Sequence, residues 1–293
     1  MIYILVAHYA RTKILRKSLR SLVFQTLGKE NWCVLLLDDT PSEDLWEIDY
    51  SPDMEGSALE VYQDFCGCMN IEYIQIDRSC WKGGFYGGWR PQAFAYNQAI
   101  RAINSDVWVV ISQAELLYSP NVLVQFSKRA GDCGGKDFVV AAKPCGSSES
   151  IRSDPFFGMD VNPMKWGVDS YSLNFDRIIK SGDLDFYHGG NWGLPEIDGA
   201  ETPYCVLIPS RLHTRIGGWR EHMSRCPGFD DLDYVWRLRE SARIKRVDVL
   251  EDCFVIHYRH LDIHRREDFL CENANFIELR NRIDGKEDGR SGA

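Results

Sequence analysis

The 293-residue chain has no apolar run near the roughly 18 residues that a membrane-spanning helix needs. It has no excess of positive charge either. Lys and Arg number 34 against 43 Asp and Glu, a net charge of -9, which argues against a broad nucleic-acid-binding face but leaves room for a local phosphate site. The N-terminus, Met1-Ile2-Tyr3-Ile4-Leu5-Val6-Ala7, lacks the basic region of a signal peptide and reads as a first strand. Ten cysteines are present without metal-site spacing: Cys66-Gly67-Cys68 is the one tight pair, and no further ligand pair stands at the usual interval. Cys33 and Cys205 lie in apolar runs, which reads as reduced, buried thiols and a cytoplasmic setting. Internal repeats are absent.

What is present is ordinary globular composition, 44% hydrophobic and 26% charged, long enough for one large core. The chain is organised around Asp106–Pro120. Val107 to Ile111 is a continuous apolar, β-rich run, the pattern of a strand buried on both faces of a mostly parallel sheet. It ends in Ser112, Gln113 and Glu115. In open α/β sheets, ligands sit at the carboxyl ends of the strands. Glu115 is therefore either a ligand for a metal or metal-bound phosphate, or the opening of a solvated loop.

The other elements follow in order. Ile2–Ala7 is a strand, and the turn His8–Arg11 leads into a helix capped by Thr12, with Leu15, Leu19, Leu22 and Val23 on one face. The second strand, Cys33–Leu37, ends in Asp38-Asp39; Asp38 is expected to fix the loop. Glu43–Asp64 is acidic and irregular, with a short helix around Leu59–Phe65. The third strand, Ile71–Ile76, ends in Asp77-Arg78. Ser79–Arg90 holds four Gly and four aromatics, either a loop that closes over a ligand or a plain connector. Pro91 opens a helix whose Ala95, Ala99, Ala102 and Ile103 form a small apolar face.

A helix over Asn121–Ala130 and a strand over Phe138–Ala142 come next. Pro144–Gly199 is irregular and carries H-G-G-N-W-G from His188 to Gly193. Tyr204–Ile208 is apolar. Asp231 opens a helix that buries Tyr234, Val235 and Leu238, with Asp233, Arg237 and Arg239 elsewhere. Phe254–Ile256 is a last short strand ending at His257. From Leu261 the chain turns charged, and after Arg282 it reads as disordered.

In this order the pieces V-A-H-Y-A-R, S-L-V-F-Q-T, L-L-L-D-D, A-Y-N-Q-A-I, Q-A-E, I-G-G-W-R-E and G-F-D-D-L-D resemble the family-2 glycosyltransferases of the GT-A fold, over about residues 2–260. The resemblance implies an α/β, Rossmann-like, mostly parallel sheet flanked by helices. Residues 1–120 would form a nucleotide-sugar-binding half, 121–262 an acceptor-binding and catalytic half, and 263–293 a charged extension. It also implies roles. Ala7, Tyr9, Arg11, Asn97 and Gln113 would line the nucleotide-sugar site. Asp39 would contact a uracil or thymine, and Arg78 the base or a phosphate. Glu115 would be a metal ligand, for Mn²⁺ or Mg²⁺, with His257 as a further ligand. Asp231 would be the catalytic base, with Asp230 binding acceptor hydroxyls or replacing it.

The chain departs from the family pattern at Ala10, where Asn is usual, and at Gln113-Ala114-Glu115, where D-x-D is usual. One carboxylate remains there, one methylene longer.

The implied activity is inverting, hexosyltransferase-type transfer from a UDP- or dTDP-sugar to a hydroxyl of a glycan or glycolipid, as part of glycan biosynthesis, with peripheral membrane association permitted. Each residue also has a plainer reading. Asp231 is then a helix N-terminal charge, Asp39 a turn residue, His257 a satisfied strand end, and His188 unrelated to the acceptor. Two other functions are compatible: a non-catalytic binding protein on a decayed fold, and a nucleotidyltransferase. The latter favours a Gly-rich first turn with a basic residue, which H-Y-A-R is not.

Overall fold

A computed structural model describes residues 1–9, 11–40, 56–78, 92–103, 106–133, 137–146, 151, 153–158, 160–181, 184–186, 204–222, 230–242, 244, 247–258 and 274–283. The strands are β1 Ile2–His8, β2 Trp32–Asp38, β3 Ile71–Gln75, β4 Trp108–Gln113, β5 Leu116–Tyr118, β6 Val140–Gly146, β7 Asp185–Phe186, β8 Cys205–Pro209 and β9 Asp248–His257. They form one sheet in the order β3-β2-β1-β4-β8-β6-β9-β5, with β7 paired to β6. Strands β1, β2, β3, β4, β6 and β9 run one way, and β5, β7 and β8 run the other. The carboxyl ends of the six co-directional strands therefore share one edge, where Ala7, Asp38, Gln113 and His257 stand.

The helices are α1 Thr12–Val23, α2 Leu59–Phe65, α3 Gln92–Ile103, α4 Val122–Asp132, α5 Val168–Ser181, α6 Ser210–Arg215, α7 Asp230–Ala242 and α8 Ala274–Ile283. Two-residue alternation along β1 sorts its side chains between two cores. Ile2, Ile4 and Val6 pack with Leu15, Leu19 and Leu22 of α1 and with Val122 and Phe126 of α4. Leu5 and Ala7 pack with Phe94, Ala95 and Ala99 of α3 and with Tyr234, Val235 and Leu238 of α7. A third cluster, Phe157, Trp166, Tyr171, Phe175 and Tyr258, sits under α5.

Several expectations need correction. Thr12 is the first residue of α1, and Arg11 holds the cap position without a side-chain hydrogen bond. On α3 Ala102 is exposed, while Phe94, Tyr96 and Asn97 are buried, because the helix is covered by the turn after α6 as well as by the sheet. Asp106–Pro120 holds two strands: after the turn at Ala114-Glu115 the chain re-enters the sheet as β5, paired to β9 at its far end. Strand β6 runs on past Ala142 to Gly146. Pro144 falls where the ladder to β8 has ended and that to β7 has not begun, so its missing N–H does not break the strand.

Strand β9 spans ten residues rather than three; an irregularity between Leu250 and Phe254 sets Glu251 and Asp252 outside the ladder and masks it in the sequence. Within Pro144–Gly199 stands the fourteen-residue α5. Asp233 and Arg237 are not on the solvent face of α7: they are 1% and 3% exposed (side chain of Asp233, whole residue of Arg237) and paired with each other. Helix α8 falls in the charged C-terminal segment and buries Leu279. Ser79–Pro91, His188–Gly193, residues 41–55 and the chain after 283 lie outside the described residues.

The turn after α6, Ile216-Gly217-Gly218-Trp219, connects these elements. Gly217 and Gly218 have φ of 79° and 69°, which a side chain disfavours. The Trp219 N–H donates to Asn97 Oδ1 and the Asn97 amide donates to Trp219 O, each at 2.9 Å. Gly217→Ala has open space for its methyl, so it should cost the left-handed penalty alone, about 1–2 kcal/mol. A Cβ on Gly218 would lie 2.6 Å from Asn97 Oδ1 and 2.9 Å from His213 Nε2. Gly218→Ala should therefore cost about 1–3 kcal/mol more, for overpacking, read as a larger fall in denaturant midpoint.

Candidate functional site

The site begins where β1 ends. His8 is 2% exposed, and its ring is held at both nitrogens. The Arg11 backbone N–H donates to Nε2 at 2.9 Å, so Nε2 is the acceptor and Nδ1 carries the proton toward Asp38 Oδ1, 3.2 Å away. Asp38 also accepts from the Ala58 N–H at 2.8 Å and the Tyr73 hydroxyl at 2.9 Å. Burial opposes its ionisation, but His8 and the other donors outweigh this and hold the carboxyl at about 2. Asp38 is thus a fully engaged loop anchor, as its position suggested. His8 was the residue the sequence reading passed over; its signal was a ring directly at a strand end.

Arg11, whose backbone is fixed by His8, turns its side chain to Glu115. Nη1 donates to Glu115 Oε1 at 2.5 Å. Glu115 is 5% exposed, which rules out the solvated-loop reading. Its main chain is held from both sides: the preceding Ala114 N–H donates to Ala7 O at 3.1 Å, and Glu115 O accepts from the Tyr258 N–H at 2.9 Å. Ala7 is 4% exposed and lies in register with Gln113 of β4 and Leu37 of β2. Tyr9 and Gln113 are half-buried at the same edge.

At the end of β2, Asp39 is 4% exposed and gripped by both arms of Arg78, with Nε donating to Oδ1 at 2.7 Å and Nη2 donating to Oδ2. The guanidinium lies over the Phe94 ring, 5.0 Å from its centroid. Two residues expected to meet a nucleotide independently are thus one rigid acid–base unit. Asn97 has a different place: both ends of its amide serve the turn, at Trp219 and at Glu221 Oε1, 2.9 Å away. It holds that turn rather than presenting its amide to the strand edge.

Helix α7 delivers Asp230 and Asp231, both half-buried, in its first turn. Burial raises the pKa of both carboxyls; for Asp230 burial and the Asp231 charge together push it up to about 7. Asp231 Oδ1 accepts the Leu232 N–H at 2.8 Å, which favours its ionised form. The buried Tyr96 hydroxyl, donating to Ser112 O at 2.6 Å, ties the two halves of the site together. Burial, then Glu115, Tyr118 and Asp230, raise its pKa.

Trp219 stacks on Tyr234 of α7, centroids 4.4 Å apart, and also touches Tyr96. His213 Nδ1 is 2.9 Å from the Tyr234 hydroxyl, and burial, then Arg237, pull its pKa down to about 3.

His257 ends β9 opposite Leu116, one residue along from Glu115, with its ring 5.3 Å from that of Tyr204. Among the described residues no group of three or more His, Cys, Asp or Glu side chains is gathered as a ready-made metal cage. Seven cysteines among them are free thiols, and Cys33, Cys145, Cys205 and Cys253 are buried. No described helix is long and apolar enough to cross a membrane.

No protein-family model and no curated protein matches the sequence. Solved structures do match in fold. TarS from S. aureus, a GT-A glycosyltransferase, superposes at a TM-score of 0.55 with 14% identity over 97% of this chain and 39% of that one. TarS 1–349 in complex with UDP gives 0.56 at 12% identity, and its UDP-GlcNAc complex gives 0.53 at 14%. Each covers 97% of this chain, which spans 64% and 66% of the TarS 1–349 chains. At such identities the likeness is one of fold, and the fold is the one the resemblance implied: a GT-A type α/β sheet with helices on both faces.

Proposed function

We propose that the protein is a glycosyltransferase. It moves a sugar from a nucleoside-diphosphate sugar, UDP- or dTDP-linked, to a hydroxyl of a glycan or glycolipid, with inversion. The observation that carries this reading is two arginine–carboxylate pairs at the carboxyl edge of the sheet, with a carboxyl pair of raised pKa at the start of α7. The shared fold with TarS, solved with UDP and UDP-GlcNAc, supports it.

In this reading the Asp39–Arg78 unit meets the base, while Ala7, Tyr9 and Gln113 line the site. The acceptor oxygen attacks the anomeric carbon as the bond to the diphosphate oxygen breaks. The diphosphate leaves with the electron pair, and the acceptor proton passes to Asp231. Burial raises both carboxyls, so the pair retains a proton toward neutrality, and the Leu232 N–H on Asp231 Oδ1 favours the ionised form there, which suits Asp231 as base. Asp230 also faces the acceptor hydroxyls.

The resemblance further implies Mn²⁺ or Mg²⁺. One carboxylate, Glu115, and one imidazole, His257, on adjoining ends of β5 and β9 suit a cation whose other positions go to diphosphate oxygens and water. Such a cation would neutralise charge on the leaving diphosphate. Arg11 and Arg78 bring positive charge to the same edge.

A thermal-shift series with UDP, dTDP and GDP tests the donor class. One nucleoside diphosphate at about 100 times its Kd should stabilise the fold by about 2.7 kcal/mol, and no shift with any of them would overturn the reading. Asp231→Asn should melt no lower than the parent yet lose about 10²–10⁴ of its transfer rate; near-parental transfer would remove Asp231 from the role of base.

Asp230 gives a separate expectation for stability. Its folded pKa, about 7, lies above the ordinary carboxylate value, so ionisation costs stability that grows from about pH 4 to 7 and stays lost above. Asp230→Asn removes that cost. It should raise Tm at pH 8 and leave it unchanged at pH 4, as calorimetry would read.

A further inference from the structure

The Arg11–Glu115 pair joins two sites that the donor reading treats as separate. Glu115 is nearly without water, its side chain 6% exposed against 19% for Arg11. A carboxylate so placed needs a positive partner, and Arg11 supplies it at 2.5 Å. The acid is fixed by main-chain bonds to β1 and to Tyr258. The arginine is anchored at its own backbone by His8. Between that anchor and the guanidinium lie only flexible methylenes, and the pair with Glu115 uses one of five N–H donors.

A divalent cation approaching Glu115 therefore meets a resident positive charge on the same carboxylate. A diphosphate meets a planar fork suited to paired phosphate oxygens.

We propose that Arg11 is the built-in counter-ion of Glu115, competing with a divalent cation for that carboxylate and swinging to the diphosphate when donor binds. The proposal rests on the nucleotide-sugar reading. In the resting protein Arg11 keeps cation affinity low. With donor present it serves phosphate, and Glu115 is released for the cation. Removing Arg11 must then move two affinities in opposite directions, which a purely structural ion pair would not do.

The test is free Mn²⁺ measured by paramagnetic resonance, with UDP binding measured by calorimetry in EDTA, on the parent, Arg11→Gln, Arg11→Lys and Glu115→Gln. Arg11→Gln should bind Mn²⁺ about tenfold tighter without nucleotide and UDP about tenfold more weakly, the scale of one charge-assisted hydrogen bond. Arg11→Lys, which keeps charge but loses the fork, should stay near the parent for Mn²⁺ and lose part of the UDP affinity. It answers the question if Arg11→Gln fails to fold. Glu115→Gln should lose Mn²⁺ binding.

Unchanged or weaker Mn²⁺ binding by Arg11→Gln, with UDP still bound by the parent, overturns the competition alone. So does Arg11→Lys with parental UDP affinity. Failure of the parent to bind UDP or any other nucleoside diphosphate, with or without Mn²⁺, overturns the donor reading itself.

Discussion

Asp233 is a carboxylate with almost no access to water, and three arginines gather around it. Arg237 donates Nε to Oδ2 at 2.7 Å, and Arg282 reaches Oδ1 at 2.9 Å from α8. Arg220 stands 3.4 Å from the same oxygen. Arg237 then gives Nη1 to the carbonyls of Ile216 and Gly218, at 2.8 and 2.6 Å. Those carbonyls belong to the left-handed turn that Asn97 clasps from α3. One buried charge thus binds α3, α7, α8 and the turn between them. Breaking such a pair by removing one partner costs about 3–5 kcal/mol, because the other charge is stranded. Asp230 and Asp231, one turn back on α7, inherit a fixed position from it.

The strand edge follows the same rule with different partners. Asp38 accepts from His8 and backbone N–H groups, Asp39 is paired with Arg78, and Glu115 with Arg11. Asp39 and Glu115, two acids that the sequence places at strand ends, each have an arginine supplied from a different strand or loop. Asp230 and Asp231 are the exception: burial raises the pKa of both carboxyls, and the Asp231 charge adds to this at Asp230. Electrostatics therefore divides the candidate site into a strand edge of paired acids and a helix start whose carboxyls resist ionisation. In the proposed transfer the first would receive the charged donor and the second would take the proton.

The sheet was legible because its strands are apolar runs and its helices carry one-face periodicity. The carboxyl-edge residues were legible because an acid after such a run has few other reasons to be there. What sequence could not supply were pairings across distance. Arg11 and Glu115 are 104 residues apart, and nothing in either neighbourhood names the other. Asp233 and Arg237 are four apart, the spacing of facing helix positions, yet a charged pair reads as solvent-facing until α8 and the turn are seen to cover it. Strand β9 was shortened by Glu251 and Asp252, which lie outside the ladder. Asn97 was legible as a marked residue but not as a clasp, since its partner turn lies 122 residues on.

The altered motif gains a physical meaning from this geometry. Glu115 sits between two strands, bonded through its main chain to the β1 side by its neighbour Ala114 and to Tyr258 beyond β9 by its own carbonyl. It therefore acts as a fixed point between the two halves of the sheet. A single fixed carboxylate carries one negative charge, and one arginine balances it fully. A pair of carboxylates at the same place would leave a net negative charge, which a divalent cation satisfies better than a guanidinium does. With Gln113, rather than an acid, at the place where the resemblance expects the first carboxylate, the charge balance at Glu115 favours arginine. If Glu115 takes a metal, as proposed, the freedom of the Arg11 side chain to leave it would matter as much as the count of acidic ligands.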